Sequence, residues 1–162
     1  MARFSILRDK GAEGEIAFDM GPLGRALEKI GNAGAEVMAQ AAPVVADNLV
    51  FHVQEVFERE GAVAGKPRWP DLAESTKKKR RGTSYVILQD SGLLAGSITP
   101  HSEGPIAEAF TNVPYAGYHI SQRPRHKLPL RDFTDIDFEA AEKEAADVIL
   151  AQLDANIQRG AA

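Results

Sequence analysis

The side chains able to do chemistry are few in this sequence, and their spacing matches no catalytic or metal-binding pattern. Histidines stand at positions 52, 101, 119 and 126. His119 and His126 are near each other, but no carboxylate lies between them to complete a metal site. His52 falls on the apolar side of a helical pattern, where a hydrogen-bonded core histidine is the commoner outcome. An enzyme built around His119 and His126 is therefore the weakest of three hypotheses.

Nucleotide-binding and nucleophile motifs are also missing. The sequence has no G-x-x-x-x-G-K-S/T loop, no G-x-G-x-x-G after a strand and no H-E-x-x-H pair. Ser91-Gly92 lacks the G-x-S-x-G context of a nucleophile elbow. The absence of cysteine excludes disulfides and thiolate metal ligands. We predict that the chain is not an enzyme and has no catalytic, cofactor-binding or metal-binding residues.

Length and composition predict one domain over residues 1–162. With 162 residues, 44% of them apolar, the chain can bury a core of its own. The first ten residues lack the apolar region of a signal peptide, and no run approaches the roughly 20 apolar residues that span a bilayer. We therefore expect a chain made in the cytosol that makes no membrane contact.

Positive charge is concentrated in one stretch of an acidic chain. The net charge is −4, but residues 66–81 contain seven Lys or Arg against two acidic residues. Cations in such a run are usually solvated, and the sharper alternatives are contact with an acidic protein surface or with DNA phosphates. The acidic net charge argues against a general nucleic-acid binder. A small nucleic-acid-binding module that uses segment 66–81 is the second hypothesis.

A long central helix gives the strongest periodic signal. It is predicted from about Ala35 to Glu60, with Gly61 ending it. Pro43 lies inside this range and predicts either a kink or the start of a second helix. The predicted apolar stripe comprises Met38, Ala41, Val45, Leu49, His52, Val53 and Val56. A weaker helical pattern follows Gly21-Pro22.

A second long helix is predicted at the C-terminus, capped by Thr134 or Asp135. Its expected apolar face comprises Phe138, Ala141, Ala145, Val148, Ile149 and Leu153. Two shorter helical pieces are also expected. One runs from Gly92 to Ser97, capped by Asp90 or Ser91, with Leu93 and Leu94 turned inward. The other is a single turn over Tyr115–His119 that presents both named side chains on one side.

Short strands complete a predicted α+β fold, in which a small antiparallel sheet packs with the central and C-terminal helices. Arg3–Arg8 and Glu15–Asp19 read as a hairpin or a pair of edge strands, and Ile98–His101 with Ile106–Thr111 as a second hairpin. The Gly/Pro-rich basic segment at about 61–86 is predicted to be a mobile loop. Trp69 either anchors this loop on the domain or faces a partner.

Five sequence patterns follow one another through the middle of the chain. Val56-Phe57 ends the central helix. A P-x-W-x-x-L-x-x-x-T-x-x-x-K pattern follows, with Arg80 at the Lys position, and then I-L-x-D-S/T-G-x-L-x-x-S-I begins at Ile87. Next come Y-A-x-x-H at Tyr115, Ala116 and His119, and P-x-R-x-F at Pro129, Arg131 and Phe133.

This ordered set resembles the phage virion morphogenesis family, the tail-completion proteins akin to the G protein of phage Mu. The resemblance covers roughly residues 51–133. It departs from the family where this chain has H-I-S-Q rather than H-Q-x-G after the Tyr-Ala pair, and P-L-R-D-F rather than P-A-R-P-F. At these two places the chain lacks the glycine and the proline that the family pattern has.

The resemblance implies a structural protein of tail completion and head–tail joining. Such a subunit assembles as a ring, a hexamer being one candidate size, at the head-proximal end of the tail. Its expected partners are other copies of itself, the tail tube or tail terminator, the head–tail connector and, non-specifically, DNA in the channel. It would be found in the tail or neck of the virion, after assembly in the host cytoplasm.

The corresponding site hypothesis is a protein interface. Aromatic and arginine side chains concentrate at interface cores, so the Arg68/Trp69 and Arg131/Phe133 pairs are predicted as anchors. The loop around Trp69, with its basic tip, would dock on an adjacent subunit or on the tail tube. The predicted interface residues are Arg68, Trp69, Lys77, Lys78, Lys79, Arg80, Arg81, Tyr115, His119, Arg131 and Phe133.

Overall fold

The computed structural model describes residues 14–19, 32–80, 85–121 and 129–160, and it confirms the α+β class. The predicted strand Arg3–Arg8 and the helical pattern after Gly21-Pro22 lie outside these residues. The described elements are β1 Gly14–Asp19, α1 Asn32–Glu58, α2 Glu74–Lys79, α3 Leu93–Gly96, β2 Thr99–Glu103, β3 Ile106–Thr111, α4 Ala116–Ile120 and α5 Phe138–Gly160.

Helix α1 is the centre of the core. All seven residues of its predicted apolar stripe are buried. Pro43 lies inside one continuous helix rather than at the start of a second one. Its ring is on the solvent side, so the Ala39 carbonyl that Pro43 leaves without a donor can be hydrated. The apolar packing on the opposite side keeps the helix continuous.

Within the described residues, the sheet has three antiparallel strands in the order β1-β3-β2. The predicted hairpin is confirmed as β2–β3, and its turn uses Gly104 at a φ of 54°. Strand β1 pairs with β3 across a register that runs from Gly14 opposite Thr111 to Asp19 opposite Ile106. The central strand of the described sheet is therefore β3, which lies far from β1 in sequence.

Helix α1 packs between the sheet and α5. It contacts β2 and β3 as well as α5. His52 of α1 meets Glu144 of α5, and Gln40 of α1 meets Gln152, so the two helices run antiparallel. Ala141, Ala145 and Ile149 of the predicted apolar face are buried, whereas Phe138, Val148 and Leu153 are partly buried against the core: the predicted face is the packed one.

The cap predicted for α5 is wrong, whereas Ser91, one of the two caps predicted for α3, accepts the N–H of Leu93 at 3.3 Å. Helix α5 is capped by Asp137, whose Oδ1 accepts the Ala140 N–H at 3.1 Å. The predicted caps Thr134 and Asp135 lie too early in the chain, because the helix begins at Phe138. Helix α3 begins after Gly92, whose φ of 73° no β-carbon hinders.

Only one of the two leucines predicted to point inward from α3 does so. Leu94 is buried, whereas the Leu93 side chain is 58% exposed. A helix of four residues presents a single narrow face to the core, and Leu94 and Ala95 occupy it. No helix within the described residues is long and apolar enough to cross a membrane.

Candidate functional site

The C-terminus of α1 fixes where the predicted interface loop begins. Glu60 and Gly61 have φ values of 49° and 87°. The Gly61 N–H donates to Val56 O at 2.9 Å, and the Glu60 N–H donates to Phe57 O at 3.3 Å. These two bonds are the pairing of a Schellman motif, in which left-handed residues turn the chain back across the helix end. Residues 61–73, here called the Trp69 loop, follow from this turn.

Trp69 packs against the turn that begins its own loop. The backbone N–H of Trp69 donates to Glu60 O at 2.8 Å, and the residue is 8% exposed. A β-carbon added to Gly61 would lie only 2.5 Å from Cδ1 of the indole. Glycine is therefore needed at this position for space as well as for conformation. Of the two alternatives for Trp69, the structure shows the one in which it anchors the loop on the domain.

Phe57 joins Trp69 to Phe133. The rings of Phe57 and Phe133 are stacked at 5.3 Å with 20° between their planes, and Phe57 meets Trp69 edge-on at 6.2 Å. Phe133 is 1% exposed. These three rings, here called the aromatic cluster, connect α1, the Trp69 loop and the segment that precedes α5. Their aromatic surface is thus buried inside this chain.

Arg131 closes the Trp69 loop from the other side. Its Nε and Nη2 donate to Pro70 O at 3.1 and 2.9 Å, and Nη2 also donates to Asp71 O at 3.0 Å. Burial lowers the pKa of the Arg131 guanidinium, while the Asp71 carboxylate acts in the opposite direction. The planar donor fork suits two neighbouring carbonyls. Trp69, Arg131 and Phe133, predicted as interface anchors, therefore hold this chain together and offer little surface to a partner.

Lys66 makes a second bridge between the same segments. Its Nζ donates to Asp135 Oδ1 at 2.7 Å, to Asp135 O at 3.1 Å and to Ile136 O at 3.2 Å. Together with Arg131, it ties residues 66–71 to residues 131–136. The first half of the predicted mobile segment 61–86 is thus held by an extensive set of contacts, while residues 81–84 lie outside the described part.

Most described cations of the basic segment already have an acidic partner. Arg68, which is exposed, is paired with Glu60. Lys77 Nζ lies 3.0 Å from Asp71 Oδ2 and 2.9 Å from Glu74 Oε1. The hydrogen bond from Lys77 lowers the pKa of Asp71, and the hydrogen bond to Glu74 is the largest of the effects that raise the pKa of Lys77.

Arg80 is held in the same way. Its Nη1 donates to Val86 O at 2.7 Å, and its Nε lies 3.6 Å from Asp90 Oδ1. Lys78 and Lys79 are exposed and make no ion pair within the described residues. Arg81 lies outside those residues. The cationic surface that the structure describes on this segment is therefore mainly the Lys78-Lys79 pair.

Tyr115 and His119 lie together at α4, as predicted. Their rings meet edge-on at 6.3 Å, Tyr115 is 40% exposed, and His119 is half-buried. Tyr118, on the same short helix, is 72% exposed and was not among the predicted residues. This part of the predicted interface remains on the surface.

His52 is the buried histidine that its position on the stripe predicted. Its Nε2 lies 3.1 Å from Glu144 Oε2, so it joins α1 to α5. Glu55 Oε2 is 4.0 Å from the other ring nitrogen. The two carboxylates thus lie at different ring nitrogens of His52, and these three side chains link α1 to α5. Across the described part of the chain, no three His, Asp or Glu side chains gather to hold a metal ion.

One exposed apolar surface was not predicted from the sequence. Ile106 and Phe110 of β3 are 42% and 37% exposed, on the side of the sheet away from α1. The alternation I-A-E-A-F-T contained the signal, since Ile106 and Phe110 share one face and Ala107 and Ala109 the other.

Comparisons with protein-family models, with curated proteins and with solved structures find no match to this chain.

Proposed function

We propose that the chain is a structural subunit that completes a phage tail and joins it to the head, acting as a ring of identical copies. The sequence resemblance over about residues 51–133 supports this. The observation that carries the proposal is that residues of the sequence motifs make contacts within the fold. Phe57 and Trp69 pack against each other, and Arg131 donates hydrogen bonds to backbone carbonyls of the Trp69 loop. Such contacts are those of a structural protein rather than of a catalyst.

The exposed residues of the same region supply the contacts in this proposal. Arg68, Lys78, Lys79 and Tyr115 lie on the surface, and His119 is half-buried. The buried aromatic cluster and Arg131 set the shape of the loop that carries Arg68. The buried residues therefore stabilise the subunit, and the exposed polar and aromatic residues contact its partners.

The test combines assembly in solution with assembly of particles. Light scattering and negative-stain images of the purified protein are expected to show closed rings. Extracts from a phage that lacks this gene should regain joined, infectious particles when the protein is added. Phe133→Ser, which removes a fully buried ring, is the misfolded control. A wild-type protein that stays monomeric and leaves the particle count unchanged would overturn the proposal.

A further inference from the structure

Strand β3 is turned the opposite way from an ordinary half-buried strand. Antiparallel sheets with one covered face normally place large apolar side chains inward and polar ones outward. In β3 the inward residues are Ala107, Ala109 and Thr111, which are 0%, 2% and 1% exposed. The larger Ile106 and Phe110 are on the outside. The outer face of the sheet therefore leaves apolar area uncovered in the single chain.

Acidic and polar side chains surround these two residues. In the β2–β3 register, Thr99 is opposite Phe110, His101 is opposite Glu108, and Glu103 is opposite Ile106. His101 Nδ1 lies 3.3 Å from Glu108 Oε2, and its ring meets Phe110 edge-on at 6.2 Å. Glu103 is exposed and makes no ion pair within the described residues. We call this surface, from Thr99 to Phe110, the outer sheet face. This surface suits a partner whose side chains join an apolar stem to a positive charge, as lysine does.

The edge of β2 is poorly suited to pairing with a further strand. A two-residue turn makes Glu103 and Ile106 the closing hydrogen-bonded pair, so Thr99, His101 and Glu103 direct their backbone groups to β3. Pro100 and Ser102 direct theirs to the open edge, and Pro100 has no N–H to donate. Proline at an edge is a common protection against strand addition. Addition of a further strand at the β2 edge is therefore disfavoured.

Helix α2 of the same chain has the complementary character. None of its residues is buried. Lys77 is bonded to Asp71 and Glu74, which orients the helix, while Lys78 and Lys79 are exposed without an ion pair in the described part. Lysine stems pack on apolar surface while their ammonium groups reach acidic partners.

We infer that the outer sheet face of one copy binds α2 of a second copy, with Lys78 and Lys79 against Glu103 and Glu108 and the lysine stems against Ile106 and Phe110. The two patches differ, so the contact is heterologous and closes into a ring when the rotation between copies allows it. This inference rests on the proposed ring and names the two surfaces that form it.

The experiment uses charge exchange between full-length variants, measured by light scattering at one protein concentration. Lys78→Glu/Lys79→Glu makes α2 acidic, and Glu103→Lys replaces one of the two carboxylates of the outer sheet face by a cation. Each variant alone is expected to associate at least about tenfold more weakly than wild type, because like charges then face each other across the contact. An equimolar mixture is expected to regain rings with an even number of copies, because the two variants can then alternate and each supplies the surface that the other needs.

One further variant and two matched controls separate this contact from general effects. Phe110→Ser removes exposed apolar area from the outer sheet face and should weaken association to a similar degree. Leu150→Ser and Lys143→Glu change exposed residues of α5 and should leave it unchanged. All variants should keep the wild-type circular dichroism spectrum.

The outcomes distinguish the inference from the function on which it rests. A wild-type ring that survives both charge variants and Phe110→Ser overturns the inference while the proposed function stands. Loss of the ring in the single variants without recovery in the mixture also overturns it, because the two surfaces then do not bind each other. A monomeric wild type overturns both.

Discussion

Gly61 carries two separate requirements in one position. Its φ of 87° belongs to the left-handed region, where a β-carbon costs roughly 1–2 kcal/mol. It also receives the face of the Trp69 indole, which leaves no room for a side chain. Gly65 has a φ of 73° but nothing within 4 Å of an added β-carbon. The two glycines therefore separate conformational strain from close packing.

We predict that Gly61→Ala destabilises the protein by several kcal/mol and Gly65→Ala by about 1 kcal/mol. Both variants incur the cost of the left-handed conformation, and only Gly61→Ala must also displace Trp69, an overpacking cost of about 1–3 kcal/mol. Urea unfolding followed by tryptophan fluorescence measures both, and the emission of Trp69 should shift only in Gly61→Ala. Equal losses in the two variants would mean that the indole moves aside freely.

At the scale of the element, α2 depends on polar contacts for its orientation. It buries no residue, so Lys77 and its two carboxylate partners fix how it leaves the Trp69 loop. The pKa of Asp71 is lowered, first by the hydrogen bond from Lys77 and then by the N–H of Leu72. A carboxyl group with a lowered pKa stabilises the fold above its ordinary pKa, and this contribution disappears as the pH falls through the lowered value.

We therefore predict that Asp71→Asn is less stable than wild type at neutral pH and equally stable in acid. The asparagine retains an oxygen for the Leu72 N–H but loses the charge that Lys77 needs. Urea midpoints measured from neutral to acidic pH should converge below the ordinary carboxyl range. Asp47→Asn, at an exposed carboxylate of α1 without an ion pair in the described part, is the matched control for the substitution itself. A constant offset at every pH would assign the effect to packing.

Periodicity predicted the elements of this fold better than their partners. The stripe from Met38 to Val56 and the β2–β3 hairpin follow from repeats of 3.6 and 2, which are local properties. The pairing of β1 with β3 and the stacking of Phe57 on Phe133 join residues far apart in sequence, and no local pattern specifies them. Trp69 was ambiguous for the same reason, since its loop is held by Arg131, whose Nε donates to Pro70 O across 61 positions of sequence.

The candidate site was predicted less well than the fold. A run of cations looks like a binding surface in sequence, whereas the acidic partners of Arg68 and Lys77 become evident only in three dimensions. The outer sheet face was missed because the alternation of β3 does not say which of its two faces meets α1. Side-chain size favoured Ile106 and Phe110 for the core, but α1 packs close to the sheet and small alanines face it.

For the whole molecule, charge distribution decides between a protein partner and a nucleic acid. The net charge is −4, and in the described part of segment 66–81 only Lys78 and Lys79 have no acidic partner. Each phosphate contact adds about −0.9 to the slope of log affinity against log salt concentration. Two contacts give a slope of about −2, and a third from Arg81 gives about −3.

We accordingly predict weak, shallow salt-dependent binding to duplex DNA. With two contacts, affinity should fall only about tenfold between 50 and 200 mM salt, against 10³–10⁵-fold for proteins that make six to ten contacts. Mobility-shift titrations of the wild type, Lys78→Glu/Lys79→Glu and Lys143→Glu measure this, and only the double variant should lose the residual binding. A wild-type slope of −6 or steeper would require more phosphate contacts than Lys78, Lys79 and Arg81 supply. That result would favour the nucleic-acid-binding hypothesis over a protein interface as the main role of the exposed cations.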